Sequence, residues 1–160
     1  MNSMMSSYLQ NMRKQVGKQC ILLPGVRAVI LNDRNEVLLQ HRRDMDCWGL
    51  PAGSVELDET ALEALKREVL EETALEVISA EPMALYSGTS QRFTYPNGDE
   101  VLCFSLAFVI REWKGSPRAD GVEGLEVKFF PLLQLPKNLV AIHAETFNDY
   151  ERYNGTFFLA

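Results

Sequence analysis

Apolar and polar positions change along the chain in short segments that predict strands interleaved with helices. Residues 26–31 and 37–40 are apolar and flank the turn-forming stretch Asn-Asp-Arg-Asn, a pattern typical of a β-hairpin. Further segments that predict strands lie at about 75–79, 83–87, 101–110 and 125–131. The longest apolar run, 101–110, is about half as long as a membrane span requires. It follows an Asn-Gly turn and predicts a strand buried on both faces.

Helical periodicity occurs in three other segments. Residues 3–16 predict a short amphipathic helix, and residues 139–153 predict a helix near the end of the chain. Thr60 and Glu63 have the spacing of a capping box, so the central helix is expected to begin there and to run to about Thr73. Strands interleaved with helices indicate a single α/β domain over residues 1–160, in which residues 1–20 form a helical extension.

Composition and charge narrow the possible partners. The chain has 160 residues and a formal charge of −6, from 16 Lys and Arg against 22 Asp and Glu. This balance argues against a nucleic-acid polymer as the partner, because phosphate binding requires a basic surface. The three cysteines form no Cys-x-x-Cys pair, and the N-terminal segment lacks the apolar core of a signal peptide. We therefore expect reduced thiols, no membrane association and a cytoplasmic location.

The central helix concentrates negative charge on one face. With Glu68 as reference, Glu72 lies about 40° to one side and Glu71 about 60° to the other. Glu63 and Arg67 have the spacing of an i,i+4 ion pair, whereas Glu68 and Glu72 have no basic partner at that spacing. The adjoining stripe is apolar and is expected to face the core: Leu62, Leu65 and Val69.

Two interpretations of this acidic face remain open at this point. Most glutamate-rich surfaces are simply solvated. Here the carboxylates adjoin the core stripe, so they are expected to be half-buried, where mutual repulsion costs more than it does in water. A divalent cation would relieve that repulsion, and hard oxygen ligands suit Mg²⁺, for which Mn²⁺ can substitute.

Residues 53–75, GSVELDETALEALKREVLEETAL, resemble the Nudix box, whose pattern is G-x5-E-x7-R-E-U-x-E-E-x-G-U with U aliphatic. The positions that match this pattern are Gly53, Glu59, Arg67, Glu68, Val69, Glu71, Glu72 and Leu75. Ala74 replaces the glycine that closes the helix in a left-handed conformation, and alanine in that conformation costs about 1 kcal/mol. We therefore expect a slightly altered helix exit with the chemistry retained.

The resemblance implies an α/β/α sandwich with a mixed sheet, in which the box forms a loop–helix–loop. It also implies that Mg²⁺ is held by glutamates of the box, by a backbone carbonyl before it and by a glutamate from a later loop: Glu68, Glu71, Glu72, Ala52 and Glu123. Arg67 would orient these glutamates through charge-assisted hydrogen bonds, and Glu59 would have a structural role. Glu126 competes with Glu123 for the loop position, and either Glu71 or Glu123 could act as the general base.

The activity implied by the resemblance is Mg²⁺-dependent hydrolysis of a nucleoside diphosphate linked to another group. ADP-ribose or a similar sugar nucleotide is the expected substrate. The residues expected to contact substrate are Arg27, Arg42, Gly53 and Glu56, with Arg43, Arg92 and Tyr95 as further candidates. Trp48 is expected to anchor the loop by packing, and His41 and His143 lack the spacing of metal ligands and are assigned no chemistry.

Two other functions remain alternatives. The chain could be a ligand-sensing or protein-binding domain that kept the fold and lost turnover, but such domains usually lose box carboxylates, and all are present here. An isomerase acting on an isoprenoid diphosphate would require a cysteine–glutamate pairing that the sequence does not show. Homodimers are common among relatives of this kind, so a homodimer is also an expectation.

Overall fold

The computed structural model describes residues 7–160 and has helices and strands in mixed order. The α-helices in this part of the chain are α1 (Ser7–Val16), α2 (Ala61–Thr73) and α3 (Ala144–Arg152). The strands are β1 (Ile21–Ile30), β2 (Glu36–Arg42), β3 (Cys47–Gly49), β4 (Ala52–Ser54), β5 (Glu76–Tyr86), β6 (Arg92–Thr94), β7 (Glu100–Lys114), β8 (Gly124–Pro131) and β9 (Phe158–Leu159). Residues 3–6 of the first expected helix lie outside the described residues, and the remainder of that helix is confirmed.

The strands form two sheets. The larger sheet has the order β4-β1-β7-β5-β9, with β6 beside β7, and it is mixed because β1 pairs with β7 in parallel. The smaller sheet, β3-β2-β8, is antiparallel throughout. The expected mixed α/β fold is therefore confirmed.

The prediction of a β-hairpin around residues 32–35 is wrong, although a turn does form there. Asn32 Oδ1 accepts hydrogen bonds from the backbone N–H groups of Arg34 and Glu36, which closes the turn. The strands on its two sides share a single bridge, between Leu31 and Val37. Beyond that bridge β1 pairs with β7 and β2 pairs with β8, so the turn carries the chain from one sheet to the other.

The core has two layers, one on each face of β1. Val29 contributes to a cluster that includes Phe147 of α3, whereas Ala28 and Ile30 contribute to a cluster that includes α2. This follows from the alternation of side chains along a strand, which points successive residues to opposite faces. The helix α2 buries Leu65 and Val69 as expected. Leu62 is also expected to face the core, and this prediction is wrong, because Leu62 is 45% exposed in the first turn of the helix.

The ends of α2 are well defined. Thr60 Oγ1 accepts from the N–H of Glu63, and the Glu63 carboxylate accepts from the N–H of Thr60, so the capping box is confirmed. Glu63 is used in this cap, and the expected Glu63–Arg67 pair does not form. At the other end Ala74 has φ 61° and ψ 16°, and its N–H donates to the carbonyl of Leu70. The helix exit is therefore the left-handed one, and the expected alteration is wrong.

Other element boundaries differ from expectation. The two strands expected at 75–79 and 83–87 form one strand, β5. The residues between them are accommodated by shifts in the pairing register between β5 and β7. Only residues 144–152 of the last expected helix are α-helical, after a 3₁₀ turn at 141–143. The strand expected at 101–110 is longer, and Phe104 near its start is 42% exposed, so both faces are buried only further along. No helix within residues 7–160 is long and apolar enough to cross a bilayer.

Candidate active site

A cleft is bounded by both sheets, by α2 and by the segment that precedes α3. One group of its lining residues is acidic and comes from α2 and from the loop before β8: Glu68, Glu72 and Glu123. A second group is largely apolar and comes from α1, β1, β6, the residue after β6, and β7: Leu9, Leu23, Phe93, Tyr95 and Cys103. The cleft thus offers both an acidic surface and an apolar surface to one ligand.

Glu68 and Glu72 enter the cleft from adjacent turns of α2. Glu72 is 5% exposed, and its Oε2 accepts the backbone N–H of Ala52 at 3.0 Å. Burial raises the pKa of Glu72 well above its ordinary value, and the charge of Glu68 adds to this. Burial also raises the pKa of Glu68 to about 7, although Arg67 Nη1 donates to its Oε1 at 2.7 Å. Both carboxylates are therefore costly to ionise in this cleft.

Glu123 reaches the same cleft from a tightly closed loop. The backbone N–H groups of residues 122–124 all donate to Asp120 Oδ1 at 2.9–3.0 Å, and the Glu123 carbonyl accepts from the N–H of Arg43. Burial raises the pKa of Glu123 to about 7, and the negative charge of Glu68 is the second largest cause of this rise. The loop glutamate expected from the sequence therefore faces the box glutamates, whereas Glu126 is exposed on β8.

Gly53 provides the space in which Glu68 lies. A Cβ atom at this position would lie 2.0 Å from the carboxylate carbon of Glu68 and 2.1 Å from its Oε1. Any side chain here would displace Glu68 from the cleft. The glycine that begins the box pattern therefore has a steric role in positioning a carboxylate.

Arg67 and Glu59 form a fully paired cluster beside the cleft. Arg67 Nε and Nη2 donate to the two carboxylate oxygens of Glu59 at 2.7 and 3.0 Å, and Nη2 also donates to the carbonyl of Ser54 at 3.0 Å. These bonds lower the pKa of Glu59 and raise that of Arg67. Arg67 thereby connects the loop of the box to its helix while also contacting Glu68.

Two expected site residues lie away from the cleft. The side chain of Glu71 is 59% exposed, and its contact is with Arg67 Nη1 at 3.4 Å. Glu56 is exposed, and its backbone N–H donates to Glu59 Oε2 at 3.0 Å. Neither residue lines the cleft. The structure thus brings together Glu68, Glu72 and Glu123 but not Glu71 or Glu56.

The two arginines expected to contact substrate differ in their availability. Arg27 is 1% exposed, and Nη1 donates to the Ile142 carbonyl at 3.0 Å and to Thr146 Oγ1 at 3.3 Å. Its remaining interactions are with Gln91 and the ring of Tyr86, so it holds the segment around α3. Arg42 pairs with Asp44 at 2.8 Å while lining the cleft, so its guanidinium is partly available to a ligand.

The other candidates divide between the cleft and the surface. Arg43 donates to the carbonyls of Gly121 and Val122, and Arg92 pairs with Glu100, so both stabilise loops. Tyr95 lines the cleft and packs edge-on against Phe93 at 4.9 Å between ring centroids. Trp48 stacks on His41 with 4.9 Å between centroids and contacts Phe130, as expected of a packing anchor.

Three polar residues of the cleft had no motif to mark them: Gln40, Ser105 and His143. Gln40 and Ser105 lie inside apolar strand patterns, and His143 precedes α3 far from the box. Sequence periodicity indicates only that such strand positions are buried. It does not indicate which of them border a cleft.

The donor set of the acidic surface fits a hard divalent cation. Its carboxylates are oxygen ligands that come from α2 and from a tightly closed loop, and burial with like charges raises their pKa values although Arg67 contacts Glu68. Among residues 7–160, no three Asp, Glu, His or Cys side chains converge closely enough to enclose an ion as they stand. The reason is local, since Arg67 holds Glu68 and the Ala52 N–H holds Glu72. Metal binding would require these side chains to turn toward a common point.

Comparison with known proteins places this geometry in a family. A model of the NUDIX domain matches residues 22–150, which is most of the chain. The chain belongs to the Nudix family. The ADP-ribose pyrophosphatase of Methanocaldococcus jannaschii is 33% identical over 129 residues, covering 79% of this chain and 72% of the relative. The 8-oxo-dGDP phosphatase NUDT18 of Mus musculus is 34% identical over 123 residues, covering 72% of this chain and 34% of the relative.

Solved Nudix structures share the fold. The MutT NUDIX hydrolase of Burkholderia pseudomallei aligns with a TM-score of 0.68 at 23% identity, covering 80% of this chain and 97% of that one. The NUDIX domain of Shewanella oneidensis NrtR, complexed with ADP ribose, aligns with a TM-score of 0.67 at 22% identity, covering 92% and 98%. These identities support the fold alone. Together with the family match and the named pyrophosphatase and phosphatase relatives, they identify the chain as a Nudix hydrolase.

Proposed function

We propose that this Nudix hydrolase cleaves the diphosphate of ADP-ribose or another sugar nucleotide in a Mg²⁺-dependent reaction. The observation that carries the proposal is the meeting of Glu68, Glu72 and Glu123 in one cleft, all with raised pKa values. Like charges buried together destabilise a fold unless a cation accompanies them. A diphosphate is the ligand that such a cation would bring.

In this proposal Glu68, Glu72 and Glu123, with the carbonyl of Ala52, hold Mg²⁺, for which Mn²⁺ can substitute. The bound ion would neutralise the diphosphate and lower the pKa of a water molecule. Arg67 orients Glu68 through its 2.7 Å hydrogen bond, and Gly53 leaves the space that Glu68 fills. Glu123 receives the proton of the attacking water, because it lines the cleft while Glu71 is largely exposed.

The expected substrate is supported by the similarity to an ADP-ribose pyrophosphatase over 79% of the chain. Hydrolysis of ADP-ribose with one water would yield AMP and ribose 5-phosphate. The apolar surface formed by Leu9, Leu23 and Phe93 offers a place for a base beside the acidic surface. An oxidised purine nucleotide is a second candidate substrate, favoured by the 34% identity to an 8-oxo-dGDP phosphatase.

A product screen tests the proposal. The full chain is incubated with Mg²⁺ and ADP-ribose, other sugar nucleotides, dinucleoside polyphosphates, nucleoside triphosphates and 8-oxo-dGDP, and products are separated by chromatography. We expect AMP and ribose 5-phosphate from ADP-ribose, and no product when EDTA replaces Mg²⁺. Tight nucleotide binding without any product would instead favour the ligand-sensing domain considered as the alternative. The homodimer and the cytoplasmic location remain predictions.

A further inference from the structure

Gln40 and His143 are polar residues of the cleft wall that the hydrolytic chemistry does not use. Both are 3% exposed, and both line the cleft. The amide nitrogen Nε2 of Gln40 is buried and has no hydrogen-bond partner among the described residues. A buried donor without an acceptor costs about 1 to 3 kcal/mol, so its presence in a cleft wall requires a reason.

The hydrogen bonding of His143 fixes where its proton lies. Nδ1 accepts the backbone N–H of Leu50 at 3.1 Å, so the neutral ring carries its hydrogen on Nε2. Burial, with the charges of Arg27 and Arg42, lowers the pKa of His143 and keeps the ring neutral. No hydrogen bond from Nε2 is present within residues 7–160. His143 therefore presents a second N–H donor in the same cleft.

Two glycines make the space for these side chains on the smaller sheet. A Cβ at Gly49 of β3 would lie 3.0 Å from His143 Nδ1, and a Cβ at Gly124 of β8 would lie 2.7 Å from Gln40 Nε2. Gln40 lies between them on β2 and pairs directly with Gly49. Gln40 on the sheet and His143 packed over Gly49 thus place two uncharged donors beside the loop that bears Glu123, and rotation of the Gln40 amide away from Gly124 would bring Nε2 to the cleft surface.

Backbone hydrogen bonds between β3 and the segment before α3 hold His143 in position. The N–H of Trp48 donates to the Asn138 carbonyl at 2.8 Å, and the N–H of Val140 donates to the Trp48 carbonyl at 2.7 Å. These bonds attach the segment before α3 to β3 and orient His143 toward Leu50. A donor fixed in this way loses little entropy when a ligand accepts its hydrogen bond.

We propose that Gln40 and His143 determine substrate specificity by donating hydrogen bonds to an uncharged oxygen or nitrogen acceptor in the organic part of the substrate. This inference rests on the proposed function, because it assumes a nucleotide-derived ligand in the cleft. Neutral donors suit such an acceptor, whereas the phosphates are the part of the ligand that a cation and Arg42 would attract. The acceptor would be a carbonyl or ring nitrogen of the base, or a hydroxyl of the sugar.

Binding of reaction products tests this inference without requiring turnover. Calorimetry in Mg²⁺ gives the Kd of AMP, GMP, ribose 5-phosphate and inorganic pyrophosphate for the wild type, Gln40→Leu and His143→Asn. The asparagine can still accept the Leu50 N–H but has no donor at the Nε2 position. We expect the Kd of the better-bound nucleotide to rise about tenfold in each variant, and the Kd of pyrophosphate to change less than twofold.

The arms of the experiment separate the sources of the acceptor. Weakening confined to the nucleotide would assign the donors to the base, and equal weakening of ribose 5-phosphate would assign them to the sugar. Equal weakening of pyrophosphate, unchanged nucleotide Kd in both variants, or no nucleotide binding by the wild type would each overturn the inference. Absence of ADP-ribose hydrolysis alone would count only against the proposed function.

Two controls guard against structural damage. Gln134→Leu makes the same replacement at an exposed position and should leave every Kd unchanged. His143→Gln can place an N–H near the former Nε2 position and should recover part of the affinity that His143→Asn loses. Should the His143 variants fail to fold, Gln40→Leu decides the outcome alone.

Discussion

The Nudix box holds two groups of glutamates that the structure treats in opposite ways. Glu59 accepts two hydrogen bonds from Arg67, and its pKa is lowered. Glu68 and Glu72, on the same helix as Arg67, enter the cleft with Glu123, and their pKa values are raised. The first group is paired within the protein, and its charge stabilises the fold. Glu68 also contacts Arg67, but burial and like charges outweigh that contact, so the second group, the cleft group, keeps a charge deficit that a ligand can relieve.

This comparison separates structure from function within one motif. A carboxylate whose pKa is lowered is already satisfied, so adding a cation there gains little. A carboxylate whose pKa is raised by burial and by like charges gains most from a cation. Substitutions in the cleft group should therefore change the response to metal strongly, and substitutions in the paired group should mainly change stability.

The largest effect is expected from Glu72, the most buried member of the cleft group. Glu72→Gln should lower kcat/KM at least about a thousandfold, because the variant loses a charged oxygen ligand while keeping its shape. Product formation from ADP-ribose in Mg²⁺ measures this effect. Glu76→Gln, an exposed glutamate at the start of β5, is the matched control. Full activity in Glu72→Gln would refute the assignment of the acidic surface.

Replacement of the loop glutamate should have the next largest effect. Glu123→Gln is expected to lower kcat about a hundredfold, the contribution typical of a general base. Glu71→Gln should have a smaller effect on kcat, because Glu71 is largely exposed. Glu126→Gln, at an exposed position of β8 just after this loop, should have no effect on kcat. Steady-state kinetics at several pH values measures all three variants. A larger loss of kcat in Glu71→Gln than in Glu123→Gln would instead assign the role of general base to Glu71 on α2.

The stability of the metal-free protein should depend on pH in the direction that the raised pKa values of the cleft group require. Glu68 has a pKa of about 7 in the fold against an ordinary 4.5, so the folded state retains protons that the unfolded state releases. The free energy of unfolding should therefore fall by about 2 to 3 kcal/mol between pH 4.5 and pH 7.5.

Denaturant titrations over this pH range measure that fall, and Glu68→Gln should reduce it. Mg²⁺ or Mn²⁺ should raise the melting temperature at pH 8 and have little effect at pH 5, where protons occupy the carboxylates. A stability that rises between pH 4.5 and pH 7.5, or metal stabilisation that is equal at both pH values, would contradict the charge deficit.

A smaller effect is expected from the paired group. Glu59→Gln removes the charge from two hydrogen bonds to Arg67 and should lower the free energy of unfolding by about 1 to 2 kcal/mol. Chemical denaturation measures this change. The metal-induced rise in melting temperature should remain, because Glu59 lies outside the cleft lining. Its loss in this variant would show that the two groups are not separable.

The smallest effect concerns the end of α2, which belongs to neither group. Ala74 adopts φ 61°, a conformation that glycine accepts without strain, so Ala74→Gly should raise the free energy of unfolding by about 0.5 to 1 kcal/mol. Thermal and chemical unfolding measure the gain. Turnover should be unchanged, because the helix and its glutamates keep their positions. Destabilisation by this substitution would show that the alanine methyl group contributes more packing than strain.

Local patterns predicted the central helix and the helix face from which two glutamates enter the cleft. Thr60 and Glu63 specify the start of α2 by short-range hydrogen bonds, and the helical period alone places Glu68 and Glu72 on one face. The pairing of β1 with β7 could not be predicted in the same way, because it joins residues about eighty positions apart. The turn at Asn32 was identified correctly, but its local signal does not reveal that the following strand leaves the sheet.

The amino-acid sequence by itself determined the Nudix box, its helix and the carboxylates that the helix presents, because each depends on spacing within a few turns. Only the tertiary structure decided which carboxylates share the cleft: Glu123 enters it and Glu71 does not. The same holds for Arg67, which pairs with Glu59 from the loop and not with Glu63, and for Gln40 and His143, which both line the cleft. These outcomes depend on how distant segments pack, and packing is a property of the whole chain and not of any local pattern.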